Sequence, residues 1–476
     1  MNQKIVIYGC GKRGTELCRL AKNNASIKII IYDSNPEKWN TEIEGHKILS
    51  PEFLKETNEN KFCIALADQK SQLEVRELLI KVYGYQENYE LDYQELWISL
   101  FKFRQSVSKV TIDKNQEKDN LIFSSINGLG LGGIEAWTEQ FAVYISRFFS
   151  THILTAQKGY CIPNQLEELK DECDYSQSDR DSINIADVAY RYIVNHLPCI
   201  LIGDKENEIL KAACAVKEEY GDAISIVIIC HVGLKNAIKQ YVKYKKYVTC
   251  YIGVSKEIYE YFIDEGIPEY KVFSMQIPFA CPMNLVRSYN TDIAEPLHIG
   301  YAGRICYIQK RADLLIKLID ELEKRKVNYQ INVAGEGIAL KDIKQFTFDR
   351  KLQDKILFYG NINRDKISKF WEKQDICINL ADYEGRSISI TEAMGNGAIP
   401  IVTETSGVKE DIINDINGYI VEIGDYKKMA DKIEYLSLNR QRLKELGKNA
   451  HDIIYPKSLF SSHAAFWNKL LTKIKG

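Results

Sequence analysis

The chain has 476 residues, enough for two or three domains each with its own core. Apolar residues make up 45% and charged residues 27%, the balance of an ordinary globular protein rather than a disordered or fibrous one. A net charge of -2 gives no reason to expect a nucleic-acid partner, and the longest strongly apolar run, Ala223 to Cys230, is too short to span a bilayer. The N-terminus enters a strand at once, without a basic leader. Twelve cysteines are scattered with no CxxC pair, so reduced thiols and a cytoplasmic chain are expected.

In chain order, residues 1–105 alternate strands ("KIVIYG", "IKIIIYD", "KFCIALAD") with helices over Arg13–Lys22 and Lys70–Val82. The charged, polar stretch 106–120 reads as a linker. Alternation restarts over 121–290 with "NLIFSS", "HILTA", "CILIG", "ISIVIIC" and "YVTCYIG". The helix after the first of these strands should bury Ile134, Trp137, Phe141, Ile145 and Phe148 on one face. A third round fills 291–455, with strands "LHIGYAG", "YQINVAG", "ILFYG", "DICINLA" and "AIPIVT" and a helix burying Leu314, Leu315, Leu318, Ile319 and Leu322. Residues 456–476 form an amphipathic helix, anchored by Phe460, Phe466, Leu470 and Leu471 and expected to cross back onto the second block. Continuous apolar strands alternating with helices predict an α/β chain of three parallel sheets, each covered on both faces.

The stretch "EGRSISITEAMGNGAIPIVT" places Glu384 in a loop after a strand and Glu392 in the second turn of a helix starting near Ser387. Between the two carboxylates lie the unpaired N–H groups of the helix start, a natural anion site. Two hydroxyl acceptors flanking an anion site suit a sugar, a diphosphate and a ribose in a row.

Glu384-x7-Glu392 followed by "AMGNGAIPIVT" resembles the donor-site motif of the family-4 retaining glycosyltransferases of the GT-B fold. "GYAGRICYIQKRADLLI" is similar to the family's upstream GR…K element, and "SGVKEDIINDINGYIV" to its downstream element. The resemblance extends from about Leu121 to the C-terminus. It implies two facing Rossmann-like domains, with a third small one in front. It implies that Arg304 and Lys310 hold the diphosphate, Glu384 the donor sugar's hydroxyls and Glu392 the ribose, with Gly385, Arg386 and Ser387 at the donor. Gly335 and Gly337 would lie beside the base. Many members carry an aromatic or small apolar residue where Arg386 stands. Its backbone N–H keeps its place, while the side chain is expected to bear on which donor sugar or acceptor fits. The activity implied is hexosyl transfer from a UDP- or GDP-linked sugar to a glycan, lipid-linked or protein acceptor, with retention and with no cofactor or metal required. Surface-polysaccharide or glycoconjugate assembly is the setting it suggests.

In the second block, "INGLGLGGIEAW" opens a helix, and its Gly132 and Gly133 are similar to the family's glycine loop facing the donor phosphates. A tight strand–helix turn is the plainer reading. His231 ends a strand, where ligands of open parallel sheets bind, and resembles the family histidine near the reacting carbon. Lys235 to Val248, with five lysines and three tyrosines, is either a solvated face or a peripheral contact with the inner face of an anionic membrane. Asp179 and Asp181 read as a solvated loop, and no cluster has metal-ligand spacing.

The first block carries "GCGKRG", with Gly9, Gly11 and Gly14 between strand and helix and Asp33 at the next strand end. This is the dinucleotide fingerprint in its context. The block resembles small N-terminal domains of surface-polysaccharide enzymes, which implies either a nucleotide site or a scaffolding and dimerising role. Two rivals to transfer stay open: a non-catalytic partner subunit, and an oxidoreductase or epimerase working through this first block.

Overall fold

The computed structural model describes residues 3–22, 24–104, 119–125, 133–155, 170–172, 182–204, 206–279 and 281–475. Most of the expected linker, Gly132 and the Asp179–Asp181 pair lie outside them. Three sheets follow one another along the chain. Gln3–Tyr8 (β1), Ile27–Tyr32 (β2), Glu42–Ile43 (β3), His46–Leu49 (β4) and Lys61–Ile64 (β5) form the first, in the order β3-β4-β2-β1-β5. Only its short β3–β4 pair is antiparallel.

The second sheet comprises Asn120–Ser124 (β6), Ser150–Thr155 (β7), Lys170–Glu172 (β8), Cys199–Gly203 (β9), Ile224–Cys230 (β10), Cys250–Gly253 (β11) and Val272–Ser274 (β12). It runs parallel in the order β12-β11-β10-β9-β6-β7-β8. The third holds Leu297–Ala302 (β13), Tyr329–Ala334 (β14), Ile356–Gly360 (β15), Ile376–Asn379 (β16), Ile399–Thr403 (β17) and Tyr419–Val421 (β18). Its order is β15-β14-β13-β16-β17-β18. Strand order reverses between β1 and β5, between β6 and β9, and between β13 and β16. Crevices of open parallel sheets form at such reversals, at the carboxyl ends of the strands.

The helix Ala312–Lys324 buries all five expected residues against the third sheet. Each such side chain contributes roughly 1.5–3 kcal/mol, so packing rather than propensity fixes this helix. In the second block the helix runs Gly133–Ile145 and buries Trp137, Phe141 and Ile145. Phe148 does not join them: the helix ends three residues earlier, and the ring is 52% exposed.

The first two sheets share one hydrophobic cluster. The helix Tyr93–Arg104 stacks Trp97 on Phe101 with centroids 4.9 Å apart, and Phe101 meets Tyr190 edge-on. Glu16, behind the glycine-rich loop, accepts from Tyr93 at 2.9 Å and from Ser182 at 2.8 Å, joining the first block to the second through buried hydrogen bonds.

The chain passes between the second and third sheets twice, through residues 275–296 and again at Leu459, where the helix Gln441–Ser458 gives way to Phe460–Lys475. The crossings run side by side. The Cys281 thiol lies against the Ser458 hydroxyl, and His451 Nε2 stands 2.9 Å from the Pro282 carbonyl. The last helix packs on the second sheet through Trp467, Leu470 and Leu471, while Phe460 and Phe466 are half-buried. Both Trp137 and Trp467 donate their indole N–H to His463 Nε2, at 3.0 and 3.1 Å. That nitrogen is therefore unprotonated, and Nδ1–H donates to the Gln276 carbonyl at 3.2 Å. Burial pushes this imidazole down to about 4.

Candidate active site

The reversal in the third sheet opens between the loops that follow β13 and β16. The first loop runs from Gly303 through Arg304 to Lys310, and the second carries Asp382 to Ser387. They are stitched together. The Asp382 N–H donates to the Gln309 carbonyl at 3.0 Å, Gln309 Nε2 to the Tyr383 carbonyl at 3.3 Å, and the Arg311 guanidinium to the Asp382 carboxylate at 2.8 Å. Lys310 thereby reaches Glu384 and donates to its Oε1 as a largely buried ion pair. Arg304 is exposed at the same mouth. Its side chain makes no hydrogen bond or ion pair among the described residues.

Gly335 and Gly337 lie against the β13 loop with φ of 122° and 155°. A Cβ on Gly335 would stand 2.0 Å from the Gly303 carbonyl oxygen, and one on Gly337 2.2 Å from that of Ile305. No side chain larger than glycine's fits either place, so both positions serve close loop-on-loop packing.

The helix Ile388–Gly395 starts directly after Ser387, whose hydroxyl is engaged with Asn379 and Ser389 and does not cap it. The first turn thus has no side-chain cap, which leaves its N–H groups and the positive end of the helix dipole facing the loops. Glu392 lies in the second turn, as its spacing requires. Desolvation pushes its carboxyl up to about 7, against the pull of the Arg364 charge.

Arg386 departs from expectation. Its guanidinium turns inward to Asp411 at 2.6 Å, Lys457 approaches the same oxygen at 2.8 Å, and the Arg386–Asp411 pair is almost fully buried. The side chain is thus committed to this buried pair, and the loop after β16 presents only its backbone at position 386.

The second sheet faces this mouth at close range. Gly233 donates its N–H to the Glu384 carbonyl at 3.0 Å, and a Cβ on Gly385 would stand 2.1 Å from the His231 carbonyl. His231 follows β10 and lies 5.9 Å, ring to ring, from Trp137. Gly133, first in its helix, packs on Ile388, first in the opposing one; a Cβ there would come within 2.8 Å of Ile388 Cδ1. Ser255 and Ser406 hydroxyls meet at 2.7 Å, and Glu139 pairs with Arg364 across the cleft. Sequence reasoning missed these crossing contacts and the His463 acceptor. The helical spacing of His463 and Trp467 was the one local signal available.

Elsewhere the structure alters two readings. In the lysine- and tyrosine-rich segment the helix stops at Val242, and Tyr241, Tyr244 and Tyr247 are buried, bonding to the Asp204 carbonyl, Glu206 and Glu218. Lys235 pairs with Asp264 at 3.7 Å and Lys239 with Glu265 at 4.0 Å. The aromatics are core, so no mixed basic and aromatic face is presented to a membrane. In the first block, Gly9 and Gly14 pack closely, a Cβ on Gly14 falling 2.0 Å from the Gly9 carbonyl oxygen, while Gly11 is open. Asp33, which the fingerprint would offer to a ribose, is buried and accepts from the Cys10 N–H and thiol, each at 2.9 Å. Burial opposes its charge, yet these bonds, with Asn35 and Lys38, hold the carboxyl below the usual range. The acid is turned onto its own loop. Among the described residues, no cluster could hold a metal ion, and no helix is long and apolar enough to cross a membrane.

Residues 291–452, the third sheet with its helices, match the family Glycosyl transferases group 1. The chain spans less than half the length of the first curated relatives it matches. It is 23% identical over 173 residues to N-acetyl-alpha-D-glucosaminyl L-malate synthase of Bacillus anthracis, covering 36% of this chain and 44% of that one. To poly(ribitol-phosphate) alpha-N-acetylglucosaminyltransferase of Staphylococcus aureus it is 28% identical over 173 residues, covering 36% and 34%. Anabaena HepE, solved with UDP and glucose, superposes with a TM-score of 0.62 at 15% identity, over 75% of this chain and 100% of that one. A mutant of S. aureus TarM, solved with fondaparinux, alpha-GlcNAc-glycerol and UDP, gives 0.52 at 16% identity over 98% of this chain and 99% of that chain. These likenesses show the fold: two facing parallel sheets of the GT-B type, with the first block in front.

Proposed function

We propose that the chain is a retaining glycosyltransferase that moves a hexosyl group from a nucleoside-diphosphate sugar to a glycan, lipid-linked or protein acceptor in surface-polysaccharide or glycoconjugate assembly. The observation that carries this is the Lys310–Glu384 pair set beside an uncapped helix start at the β13/β16 reversal. An ammonium, an exposed guanidinium and free N–H groups converge where a departing diphosphate gathers charge, the kind of electrostatic stabilisation this reaction needs. Glu384 accepts hydroxyls of the sugar, and Glu392 those of the ribose. The bond from the anomeric carbon to phosphate breaks as the acceptor oxygen bonds on the same face, and the leaving phosphate oxygen takes the acceptor proton. His231 borders the reacting carbon. UDP in the HepE and TarM structures favours a uridine donor.

In this reading residues 291–455 bind the donor, residues 121–290 bind the acceptor, and residues 1–105 are a scaffold. The inward-turned Asp33 and the shared core with the second sheet support the last assignment.

The test is a thermal-shift panel with UDP, GDP, ADP, CDP and NAD⁺. A ligand at 100 times its Kd stabilises by about 2.7 kcal/mol. One nucleoside diphosphate should raise the midpoint, and Lys310→Ala should abolish the rise. A response to NAD⁺ alone would transfer the function to the first block.

A further inference from the structure

Arg311 follows Lys310 directly and precedes the helix Ala312–Lys324, where an extended backbone is usual. Its backbone is instead left-handed, with φ 51° and ψ 56°, a conformation in which Cβ crowds the next carbonyl. Lys326 and Lys351 carry the same strain just past helix ends, where a left-handed residue closes the last turn. No such closure calls for it at a helix start. The side chain supplies the reason. Its Nε and Nη2 donate to the two oxygens of Asp313, each at 3.0 Å, and Nη1 donates to both oxygens of Asp382, at 2.8 and 3.1 Å. All three nitrogens are used, and a fork set on Asp313 has a fixed direction. Gln309 holds Asp382 as well, through its carbonyl. The residues on either side of Lys310 thus grip one residue of the facing loop, and two positions further on Glu384 accepts from Lys310.

We propose that Arg311 is a positioning residue for the donor diphosphate: its strained turn aims the guanidinium at Asp382, and that clamp keeps the Lys310 ammonium in place at the β13/β16 mouth. This rests on the assignment of Lys310 to the diphosphate. Asp382 stands two residues from Glu384, where an unpaired carboxylate would repel an incoming anion. With Arg311 on it the charge is matched, and the carboxylate serves as an anchor. Ion pairs as open to solvent as these add little stability by themselves. Their consequence is geometric, and it reaches the ligand only through Lys310. Strain held at one residue beside a binding group, and offset by its own side chain, is a known form of pre-organisation.

The experiment compares binding of the tightest nucleoside diphosphate among UDP, GDP, ADP and CDP with binding of its nucleoside, which has no phosphate. Arg311→Gly keeps the left-handed turn without strain and removes the fork, so it should melt within about 3 °C of wild type. It should weaken the diphosphate about tenfold and the nucleoside less than about twofold. Arg311→Lys keeps the charge without the fork and should also weaken the diphosphate. Asp382→Ala breaks the clamp from the other side and should weaken it about tenfold, although removing a negative charge would by itself favour an anion. On a Lys310→Ala background, Arg311→Gly should add less than about twofold, because its effect passes through Lys310. Unchanged diphosphate binding in Arg311→Gly, equal losses for diphosphate and nucleoside, tighter binding in Asp382→Ala, or additive losses with Lys310→Ala would overturn the clamp. Wild type that binds none of the four, or Lys310→Ala that binds as tightly as wild type, would overturn the donor reading itself and this proposal with it.

Discussion

Gly233 donates its backbone N–H to the carbonyl of Glu384 at 3.0 Å, so the loop expected to hold the donor sugar is fixed from the opposite wall of the cleft as well as by Lys310. A methyl at position 233 would stand 2.3 Å from that carbonyl oxygen and 2.5 Å from Ser406 Cβ. Gly233→Ala is therefore expected to wedge the walls apart at the reacting centre. Misplacement of this order costs about 10²-fold in rate. Stability should fall by about 1–3 kcal/mol, the cost of overpacking a closed contact, and not further, since the core of neither wall is touched. Donor turnover and a melting curve on the same sample check this; full turnover would mean the contact is absent in the working state.

The Arg386 anchor gives an ordering of variants. Asp411→Ala leaves Arg386 and Lys457 facing each other without their carboxylate, a buried loss of about 3–5 kcal/mol. Arg386→Met keeps Lys457 on Asp411 and should cost clearly less. Denaturant melts decide, and an equal loss from both would contradict the shared-carboxylate arrangement.

His463 accepts from two indoles. His463→Leu removes the acceptor for both buried N–H groups, at about 1–3 kcal/mol each, whereas His463→Gln keeps an acceptor and should lose less. Urea melts of the two variants measure the difference.

Two buried groups tilt stability with pH in opposite senses. The His463 imidazole is held near 4 against an ordinary 6.5, so its contribution is complete above 6.5 and disappears as pH falls through 4. The Glu392 carboxyl is raised from 4.5 to about 7, so its contribution is complete below 4.5 and is lost as pH rises through 7. In wild type the slopes largely offset. Each substitution should expose the other: Glu392→Gln gains stability from pH 4 to 6.5, and His463→Gln loses it from 4.5 to 7. Melting midpoints across this range test both signs, and parallel curves for the two variants would refute the assignment.

Much of the architecture could be read from local pattern. The apolar runs at Ile224–Cys230 and Ile399–Thr403 are strands because each is covered on both faces, and that leaves a continuous hydrophobic signature. The placement of Glu384 in a loop and Glu392 in the second turn of a helix followed from ending the apolar strand at the polar stretch "DYEGRS" and starting the helix near Ser387. Local pattern failed where partners are distant in sequence. Arg386 carries no mark that Asp411 and Lys457 will surround it, and Glu139 gives no sign of Arg364, which lies 225 residues away. The tyrosines at 241, 244 and 247 looked amphipathic beside their lysines, but Glu206, Glu218 and the Asp204 carbonyl supply polar partners for their hydroxyls, so the rings can enter the core. Phe148 was misassigned because the helical period was carried past a terminus that the sequence does not punctuate.

The two chain crossings, bonded to each other through Pro282 and His451 at one side of the cleft, restrict what the molecule can do. A single tether would let one lobe swivel, twist and drift; two adjacent ones leave it a door on a short pin. The walls can swing apart, and the displacement grows with distance from the pin. Sliding along the closed cleft is disfavoured, because it would part Gly233 from the Glu384 carbonyl and Ser255 from Ser406. Gly133 and Ile388, Glu139 and Arg364, and Gly233 and Glu384 are thus held in one register, so that whatever lies between the walls meets both of them in a single arrangement.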